Sequence, residues 1–168
     1  MDGAAPEDCR IRPYRAGDLP RLHAIRKSAY RPIFASFRDI VGDRIAAVAM
    51  AAAEREQAAY LDRICGPESD REVYVVECGA AVAGFLSLAY RRQAMVGEID
   101  LNAVDPVYQG RGIGAWMYGF ALDRMRAAGM TVATVATGAD PSHAPARRAY
   151  EKAGFGPALP CVYLYRAL

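Results

Sequence analysis

The segment from Val104 to Gly114, VDPVYQGRGIG, constrains the fold of this chain more than any other stretch of its sequence. It places Gly110, Gly112 and Gly114 at alternate positions, after an apolar run typical of a strand and before a run typical of a helix. Glycine has no Cβ, so its backbone N–H group can approach a ligand closely. The first N–H groups of a helix lack intrahelical partners and lie at the positive end of its dipole. The segment therefore predicts a phosphate-binding turn at the start of a helix.

The order of the predicted elements indicates an α/β fold with one mixed sheet covered by helices. A short strand near residue 10 precedes two helical regions, the first ended by Pro32 and the second at about 43–64. A hairpin that turns at Gly79 and a strand at 97–104 follow. After the glycine segment we expect a helix at about 113–128, a strand at 131–137, a short helix at 142–153 and a closing strand from Val162 to Arg166. The predicted order is β-α-α-β-β-β-α-β-α-β.

Length and composition set limits on the class of protein. The 168 residues predict one domain, 1–168, whose residues 1–8 form a flexible N-terminus. A net charge of +2 is too small to indicate a nucleic-acid partner, and no apolar run is long enough for a membrane helix. Two histidines exclude a His-rich metal site, and the N-terminus does not resemble a signal peptide. We therefore expect a cytoplasmic protein without a metal.

The cysteines are widely spaced and form no C-x-x-C pair. Reduced thiols in a reducing cytosol are favoured over a disulfide or a zinc site for all four, Cys9, Cys65, Cys78 and Cys161.

Two common nucleotide motifs fit the glycine segment poorly. Gly110, Gly112 and Ala115 satisfy the dinucleotide pattern G-x-G-x-x-A. That turn, however, follows its strand almost at once and needs an acidic residue about 20 positions later. Here residues 105–109 intervene, and residues 130–138 contain no acid. A P-loop is excluded because no G-K-S or G-K-T follows.

The glycine segment fits the motif of a family outside these two nucleotide-binding classes. Gln109-x-x-Gly112-x-Gly114, between a strand and a helix, resembles the acyl-CoA signature of the GNAT superfamily, the Gcn5-related N-acetyltransferases. The segment 146–155, ARRAYEKAGF, resembles a later motif of that family, in which a short helix ends in Tyr-x-x-x-Gly-Phe. The predicted element order also matches, so the resemblance covers about the whole chain. It implies a mostly antiparallel mixed sheet and acetyl-CoA as co-substrate.

The resemblance implies a set of residues that contact the coenzyme. Free backbone groups on the strand before the glycine loop would pair with the pantetheine arm; these belong to Leu101, Asn102, Ala103 and Val104. Backbone N–H groups of the loop would hold the pyrophosphate; these belong to Gln109, Gly110, Arg111, Gly112, Ile113 and Gly114. We also expect contacts from Arg147 and from His143, which stands where the family commonly has Asn, seven residues before Tyr150. His143 could instead serve as a base or start the helix, with Ser142 as N-cap.

The resemblance also implies catalytic residues. Transfer expels a thiolate whose ordinary pKa is roughly 8.5, against roughly 10 for tyrosine, so the Tyr150 hydroxyl could donate a proton to it. Packing of the Tyr150 ring beside Phe155 is the alternative. Glu98 and Asp100 lie two apart on one strand and face the same way, with Glu98 the first choice of general base and Asp100 the second. The alternative is a polar strand edge, paired with Arg91 or Arg92.

These features predict an acetyl-CoA-dependent N-acetyltransferase, a monomer or homodimer. The acceptor would be a primary amine of a small molecule or peptide, attacking directly in a ternary complex. We expect acceptor contacts from residues 30–38 and 90–93, where Tyr30, Phe34 and Phe37 form an aromatic pocket or simply pack. A non-catalytic acyl-CoA-binding sensor and a protein lysine or N-terminal acetyltransferase are the alternatives.

Overall fold

The computed structural model describes residues 5–168, which contain a five-stranded sheet with strands in chain order. The strands are β1 (Cys9–Pro13), β2 (Glu72–Cys78), β3 (Ala81–Arg91), β4 (Val96–Val104) and β5 (Val132–Val135). Neighbours among β1 to β4 are antiparallel, and β5 is parallel to β4. The predicted mixed, mostly antiparallel sheet is therefore confirmed.

Helices cover both faces of the sheet. They are α1 (Leu19–Val41), α2 (Asp43–Ile45), α3 (Ala51–Ile64), α4 (Ile113–Ala127) and α5 (Ala144–Lys152), with a π-helical turn, Ala46–Met50, joining α2 to α3. Leu22, Ile25 and Leu61 pack on one face, and Met117, Ala121 and Met125 of α4 pack on the other. None of the helices in the described part of the chain is long and apolar enough to cross a membrane.

The prediction that Pro32 ends the first helix is wrong. Pro32 lies inside α1, which continues to Val41. An internal proline costs about 3 kcal/mol. Contacts beyond it offset that cost, because Phe34 is buried, Phe37 stacks on His143, and the Ser36 hydroxyl donates a hydrogen bond to Asp140. Long-range packing therefore extends the helix past its local stop signal.

The predicted closing strand from Val162 to Arg166 does not form. Residues 155–168 have no helix or strand, and Val162 and Leu164 are 80% and 91% exposed. A strand is stable only when its backbone groups are paired with a neighbour. Among the described residues, β5 pairs only with β4, and the C-terminal segment does not add to its outer edge. The alternation of apolar residues in this segment is therefore not sufficient for a strand.

The prediction of reduced cysteines is wrong for two of the four. Cys9 and Cys78 lie directly opposite each other on β1 and β2, 4.1 Å apart at Cα, and form a disulfide. They are 69 residues apart in sequence, so their pairing depends on strand register rather than on any local spacing. Cys65 and Cys161 are free thiols, and burial raises the pKa of Cys65 to about 11.

A bulge in β4 sets the orientation of the residues that follow it. Asp100 and Leu101 lie opposite the single residue Ser87 of β3. An extra residue of this kind shifts the alternation of side chains between the two faces. Ile99 consequently packs on the α4 side of the sheet, whereas Leu101 packs with α1 and α3. The bulge brings Asp100 and Asn102 to opposite faces of β4.

Candidate active site

The glycine segment forms an open turn at the start of α4. Gly110 and Gly112 have φ of +78° and +80°, values that residues with a Cβ rarely adopt, and Gly112 is the N-cap of the helix. No atom lies within 4 Å of the position of a Cβ on either glycine. The first intrahelical bond runs from Trp116 N to Gly112 O, so the preceding N–H groups of α4 have no intrahelical partner. The geometry is that of an anion cradle.

Asp105 orients the chain between β4 and this turn. Its carboxylate accepts a hydrogen bond from Val107 N at 3.0 Å and pairs with Arg21 of α1 at 2.6 Å. The Arg21 guanidinium also donates to the Val82 carbonyl. Sequence reasoning missed this half-buried ion pair, because nothing near Asp105 in the sequence identifies Arg21 as its partner.

The turn opens into a groove of about 640 Å³. Its walls come from the end of β4, the glycine segment, the middle of α1 and most of α5. Of the residues expected at the coenzyme, those that line the groove are Asn102, Ala103, Val104, Gln109, Gly110, Gly112, Ile113, Gly114 and His143. Leu101 does not line the groove; it packs in the core with α1 and α3 and lines the neighbouring cavity described below.

Beyond Ile99, β4 has an edge without a strand partner. Pairing with β5 stops at Ile99 and Val135, and residues 100–104 continue alone on that side. The Asn102 carbonyl accepts a hydrogen bond from the Tyr30 hydroxyl, and the Val104 carbonyl accepts one from the Gln109 side chain, each at 3.0 Å. Alternate residues of a strand point their backbone groups to the same edge. An extended, amide-bearing ligand could therefore pair with Asn102 and Val104.

The ring of Tyr150 packs against aromatic neighbours, and its hydroxyl makes a hydrogen bond. Its ring centroid lies 4.5 Å from that of Tyr118 and 6.0 Å from that of Phe155, so the predicted packing on Phe155 is present. Its hydroxyl accepts a hydrogen bond from Asn102 Nδ2 at 3.2 Å, and the residue lines the groove. The packing therefore holds the phenol in place on the groove wall and leaves its hydroxyl available for chemistry.

A second cavity, of about 250 Å³, adjoins the groove. Glu98, Asp100, Tyr30 and Tyr60 line it, and Tyr30, Asp100 and Ala136 belong to the walls of both spaces. Glu98 and Asp100 thus face the same cavity. A small cavity with two carboxyl groups and two phenols suits a cationic ligand with an apolar body.

The two carboxyl groups of this cavity have different surroundings. Asp100 accepts hydrogen bonds from the Tyr60 and Ser87 hydroxyls and lies 3.5 Å from Arg71 Nε. Burial, reinforced by the bond to Asp100, raises the pKa of Tyr60. Glu98 makes no side-chain hydrogen bond or ion pair with any described residue, and the alternative pairing with Arg91 or Arg92 is absent. Asp100 is held by its partners, whereas the Glu98 carboxylate has no such partner among the described residues.

His143 belongs to a cluster that joins α1 to α5. Its Nδ1 lies 2.5 Å from Asp140 Oδ1, and the other Asp140 oxygen accepts from the Ser36 and Ser142 hydroxyls. Burial opposes ionisation of Asp140, but these hydrogen bonds outweigh it and hold the pKa of Asp140 well below its ordinary value. Asp140 rather than Ser142 caps this turn, because its side chain accepts from Ser142 N. The carboxylate fixes the imidazole against the groove wall.

The predicted arginines lie apart from the groove lining. Arg111 extends over the Tyr108 ring and donates to the Val107 carbonyl. Arg147 donates to the carbonyls of Gly138 and Asp140, whereas its neighbour Arg148 lines the groove. Coenzyme contacts from Arg111 and Arg147 remain predictions.

The two cavities include only part of the segments expected to contact the acceptor, residues 30–38 and 90–93. Phe34, which is buried in α1, and Phe37 line neither cavity. The Tyr90 hydroxyl makes a hydrogen bond to Glu72 outside both cavities. The aromatic walls come instead from Tyr30, which was expected, and from Tyr60 of α3, for which the sequence offers no local signal. In the described part of the chain, no three potential ligand side chains cluster as a metal site would require.

Comparison with known proteins gives a family and a shared fold. A family model described as the acetyltransferase (GNAT) family matches residues 38–155. A GNAT family acetyltransferase from Brucella melitensis, solved with acetyl-CoA, is 19% identical with a TM-score of 0.61, over 90% of this chain and 91% of that chain. The Bacillus subtilis acetyltransferase, solved with CoA, is 20% identical with a TM-score of 0.59, over 87% of this chain and 75% of that chain.

A third solved structure holds both halves of a transfer reaction. AAC(6')-Iy, in complex with the bisubstrate analogue CoA-S-monomethyl-acetylneamine, is 12% identical with a TM-score of 0.63, over 95% of this chain and 99% of that chain. No curated protein matches the sequence. The family model covers more than half of the chain and includes β4, the glycine turn and Tyr150. The chain therefore belongs to the acetyltransferase (GNAT) family.

Proposed function

We propose that this protein is an N-acetyltransferase that transfers the acetyl group of acetyl-CoA to a primary amine. The observation that carries the proposal is the meeting of the two cavities at Tyr30, Asp100 and Ala136. A groove with an anion cradle suits the coenzyme, and an acidic cavity beside it suits an amine. The amine would attack the thioester where the two spaces join, in a ternary complex.

The groove supplies mainly backbone groups to the coenzyme. The N–H groups at the start of α4 would hold the pyrophosphate, and the free edge of β4 at Asn102 and Val104 would pair with the pantetheine amides. Arg148 and Lys152, one helical turn apart on α5, line the same groove and add positive charge toward the phosphates. These contacts orient the thioester toward the acidic cavity.

The acidic cavity would bind and deprotonate the acceptor. Asp100 keeps its partners Tyr60, Ser87 and Arg71, so Glu98 is the carboxylate without a cationic partner that would attract an ammonium group. Glu98, which has no bonding partner among the described residues, accepts the proton that the ammonium group must lose before it attacks.

Tyr150 would complete the reaction as general acid. As the C–S bond breaks, its electron pair moves to sulfur and the Tyr150 hydroxyl donates a proton there. Neither free cysteine lines either cavity in the described structure, which supports direct transfer rather than a covalent intermediate.

Release of free thiol from acetyl-CoA, measured against a panel of amines, tests this function. We expect turnover with at least one small primary amine, and a loss of kcat of roughly 100-fold or more in Tyr150→Phe. Tyr90→Phe is the matched control, because the Tyr90 hydroxyl bonds Glu72 outside both cavities. Wild-type turnover in Tyr150→Phe would remove the general-acid role.

The same panel separates the two alternatives. Coenzyme binding without turnover on any amine or peptide would indicate a non-catalytic sensor. Turnover on lysine-containing peptides alone would indicate a protein acetyltransferase. The small volume of the cavity, about 250 Å³, favours a small amine over a peptide.

A further inference from the structure

We propose that the Asn102 side chain is a positioning residue that directs the proton of the Tyr150 hydroxyl into the groove. The inference rests on the proposed function, because it concerns the proton that Tyr150 would donate. Neither the fold nor the glycine motif requires an asparagine here, since the expected contact of this residue with the coenzyme is through its backbone.

Asn102 is at the centre of a cluster of tyrosine hydroxyls. Its Oδ1 accepts a hydrogen bond from Tyr118 at 2.9 Å, and its Nδ2 donates to the Tyr150 hydroxyl at 3.2 Å. Its backbone carbonyl accepts from Tyr30 at 3.0 Å. Burial, and then the neighbouring Tyr150, raise the pKa of Tyr118, so Tyr118 remains a neutral donor. Three hydrogen bonds therefore tie one asparagine to three helices, α1, α4 and α5.

The orientation of the Asn102 amide follows from its partners. Nδ2 also donates to the Asp100 carbonyl at 2.9 Å, and a carbonyl oxygen can only accept. The NH₂ group must therefore point toward Asp100 and Tyr150, and Oδ1 toward Tyr118. The β4 bulge at Asp100 and Leu101 places this side chain on the face that carries α4 and α5.

This orientation leaves the Tyr150 proton without an acceptor on Asn102. A phenol hydroxyl has one hydrogen, and the oxygen of Tyr150 already accepts from Asn102 Nδ2. Donation in the opposite sense, from Tyr150 to Asn102 Oδ1, would span 3.5 Å, and Oδ1 is already bonded to Tyr118. The hydrogen of Tyr150 is consequently available to an acceptor in the groove.

The amide also assists the transfer itself. When Tyr150 gives its proton to the departing sulfur, negative charge develops on the phenol oxygen. An N–H group already bonded to that oxygen stabilises the charge without reorganisation. Asn102 would thus lower the barrier of the step in which the thiol leaves, while contributing little to the binding of acetyl-CoA through its side chain.

A double-mutant cycle tests the inference. Four proteins are compared, the wild type, Asn102→Ala, Tyr150→Phe and the double variant, by kcat with acetyl-CoA and by the Kd of CoA from calorimetry. We expect Asn102→Ala to lower kcat about 10-fold, the effect of losing one hydrogen bond to a developing charge, and to change the Kd of CoA less than twofold. In the Tyr150→Phe background the same substitution should have no further effect on kcat.

Asn102→Asp is a second variant that keeps the shape of the side chain, so a loss of activity in it cannot be attributed to an unfilled space in the fold. A carboxylate cannot donate to Tyr150 and would draw the phenol proton toward itself, so we expect kcat to fall at least as far as in Asn102→Ala. A wild-type kcat in Asn102→Asp, or fully additive losses in the cycle, would overturn the role of Asn102 and leave the acid role of Tyr150 intact. A wild-type kcat in Tyr150→Phe would instead overturn both.

Discussion

The groove and the acidic cavity meet at Asp100, yet they are built from different parts of the chain. The groove presents backbone N–H and C=O groups from one continuous stretch, residues 102–114, with α1 and α5 as its other walls. The cavity presents side chains that come from separate elements: Tyr30 of α1, Tyr60 of α3, and Glu98 and Asp100 of β4. One space depends on backbone conformation and the other on charge and side-chain identity.

This difference determines how substitutions in each space should act. Backbone groups are the same in every residue, so we expect the stretch 102–114 to hold CoA through side-chain changes that keep the glycine conformations, although Asn102 and Tyr150 would act through their side chains in the transfer step. The cavity changes its chemistry with each substitution. The contrast predicts that variants of the two spaces affect different kinetic constants. Glu98→Gln and Gly112→Ala test this contrast, and Asp140→Asn tests the junction of α1 and α5 beside the groove.

The largest effect is expected in the cavity. Glu98→Gln removes the group proposed to accept the amine proton, so kcat/KM for the amine should fall about 100-fold. The Kd of CoA, measured by calorimetry, should stay within twofold of the wild type. Glu151→Gln is the matched control, because Glu151 is exposed on α5 and lines neither cavity. An unchanged rate in Glu98→Gln, together with a large loss in Asp100→Asn, would transfer the base role to Asp100.

A smaller effect is expected where α1 and α5 join. Asp140→Asn should lower the free energy of unfolding by about 2 kcal/mol at pH 7, because a buried carboxylate with several hydrogen bonds is lost. The pKa of Asp140 is depressed in the folded protein, so its contribution is present above the ordinary Asp pKa and is lost as the pH falls through the folded value. Denaturation curves should show the same difference between the wild type and the variant at pH 7 and pH 5, and a smaller difference at pH 3, where the loss has begun.

A difference between the two proteins that stays constant from pH 7 to pH 3 would contradict this account. It would mean that the Asp140 cluster stabilises the junction by packing rather than by its charge. The groove wall at Ser142 and His143 would then be insensitive to pH.

The smallest of the three effects is expected in the glycine turn. Gly112→Ala forces a residue with a Cβ to φ of +80°, at a cost of roughly 1–2 kcal/mol, so the Kd of CoA should rise about 10-fold. The KM for the amine should not change. Gly119→Ala is the control, because Gly119 lies inside α4, has no atom within 4 Å of its Cβ position and has an ordinary φ. Equal effects of the two substitutions would show that helix stability, and not the cradle, determines CoA binding.

Much of the fold could be predicted because local patterns encode it. The order of strands and helices up to Tyr150 follows from hydrophobic periodicity and turn residues. Three features could not be read locally, since each depends on distant contacts: the continuation of α1 past Pro32, the Cys9–Cys78 disulfide, and the failure of residues 162–166 to pair. In each of these, packing or register between remote segments decided the outcome.

The candidate site also contains parts that the sequence predicted and parts that it did not. The glycine turn and the free edge of β4 lie where the motif and the family resemblance placed them, because they belong to one short segment. The contacts of Asn102 with Tyr118 and Tyr150 were missed, because the β4 bulge that orients Asn102 has no signature in the sequence. Tyr60 and Asp140 were missed for a related reason, since their partners lie 40 and 104 residues away. The catalytic roles of Tyr150 and Glu98 stay predictions until they are measured.

The Cys9–Cys78 bond divides the chain into a closed covalent ring, residues 9–78, and an open remainder. By chain-entropy reasoning, closing a ring of this length disfavours the unfolded state by about 4 kcal/mol. The ring contains α1 to α3, and with them Tyr30 and Tyr60 of the acidic cavity, whereas the glycine turn and Tyr150 lie outside it. Reduction of this one bond would therefore release the segment that supplies the two phenols of the acidic cavity, whereas Glu98 and Asp100 of the same cavity lie outside the ring with the glycine turn.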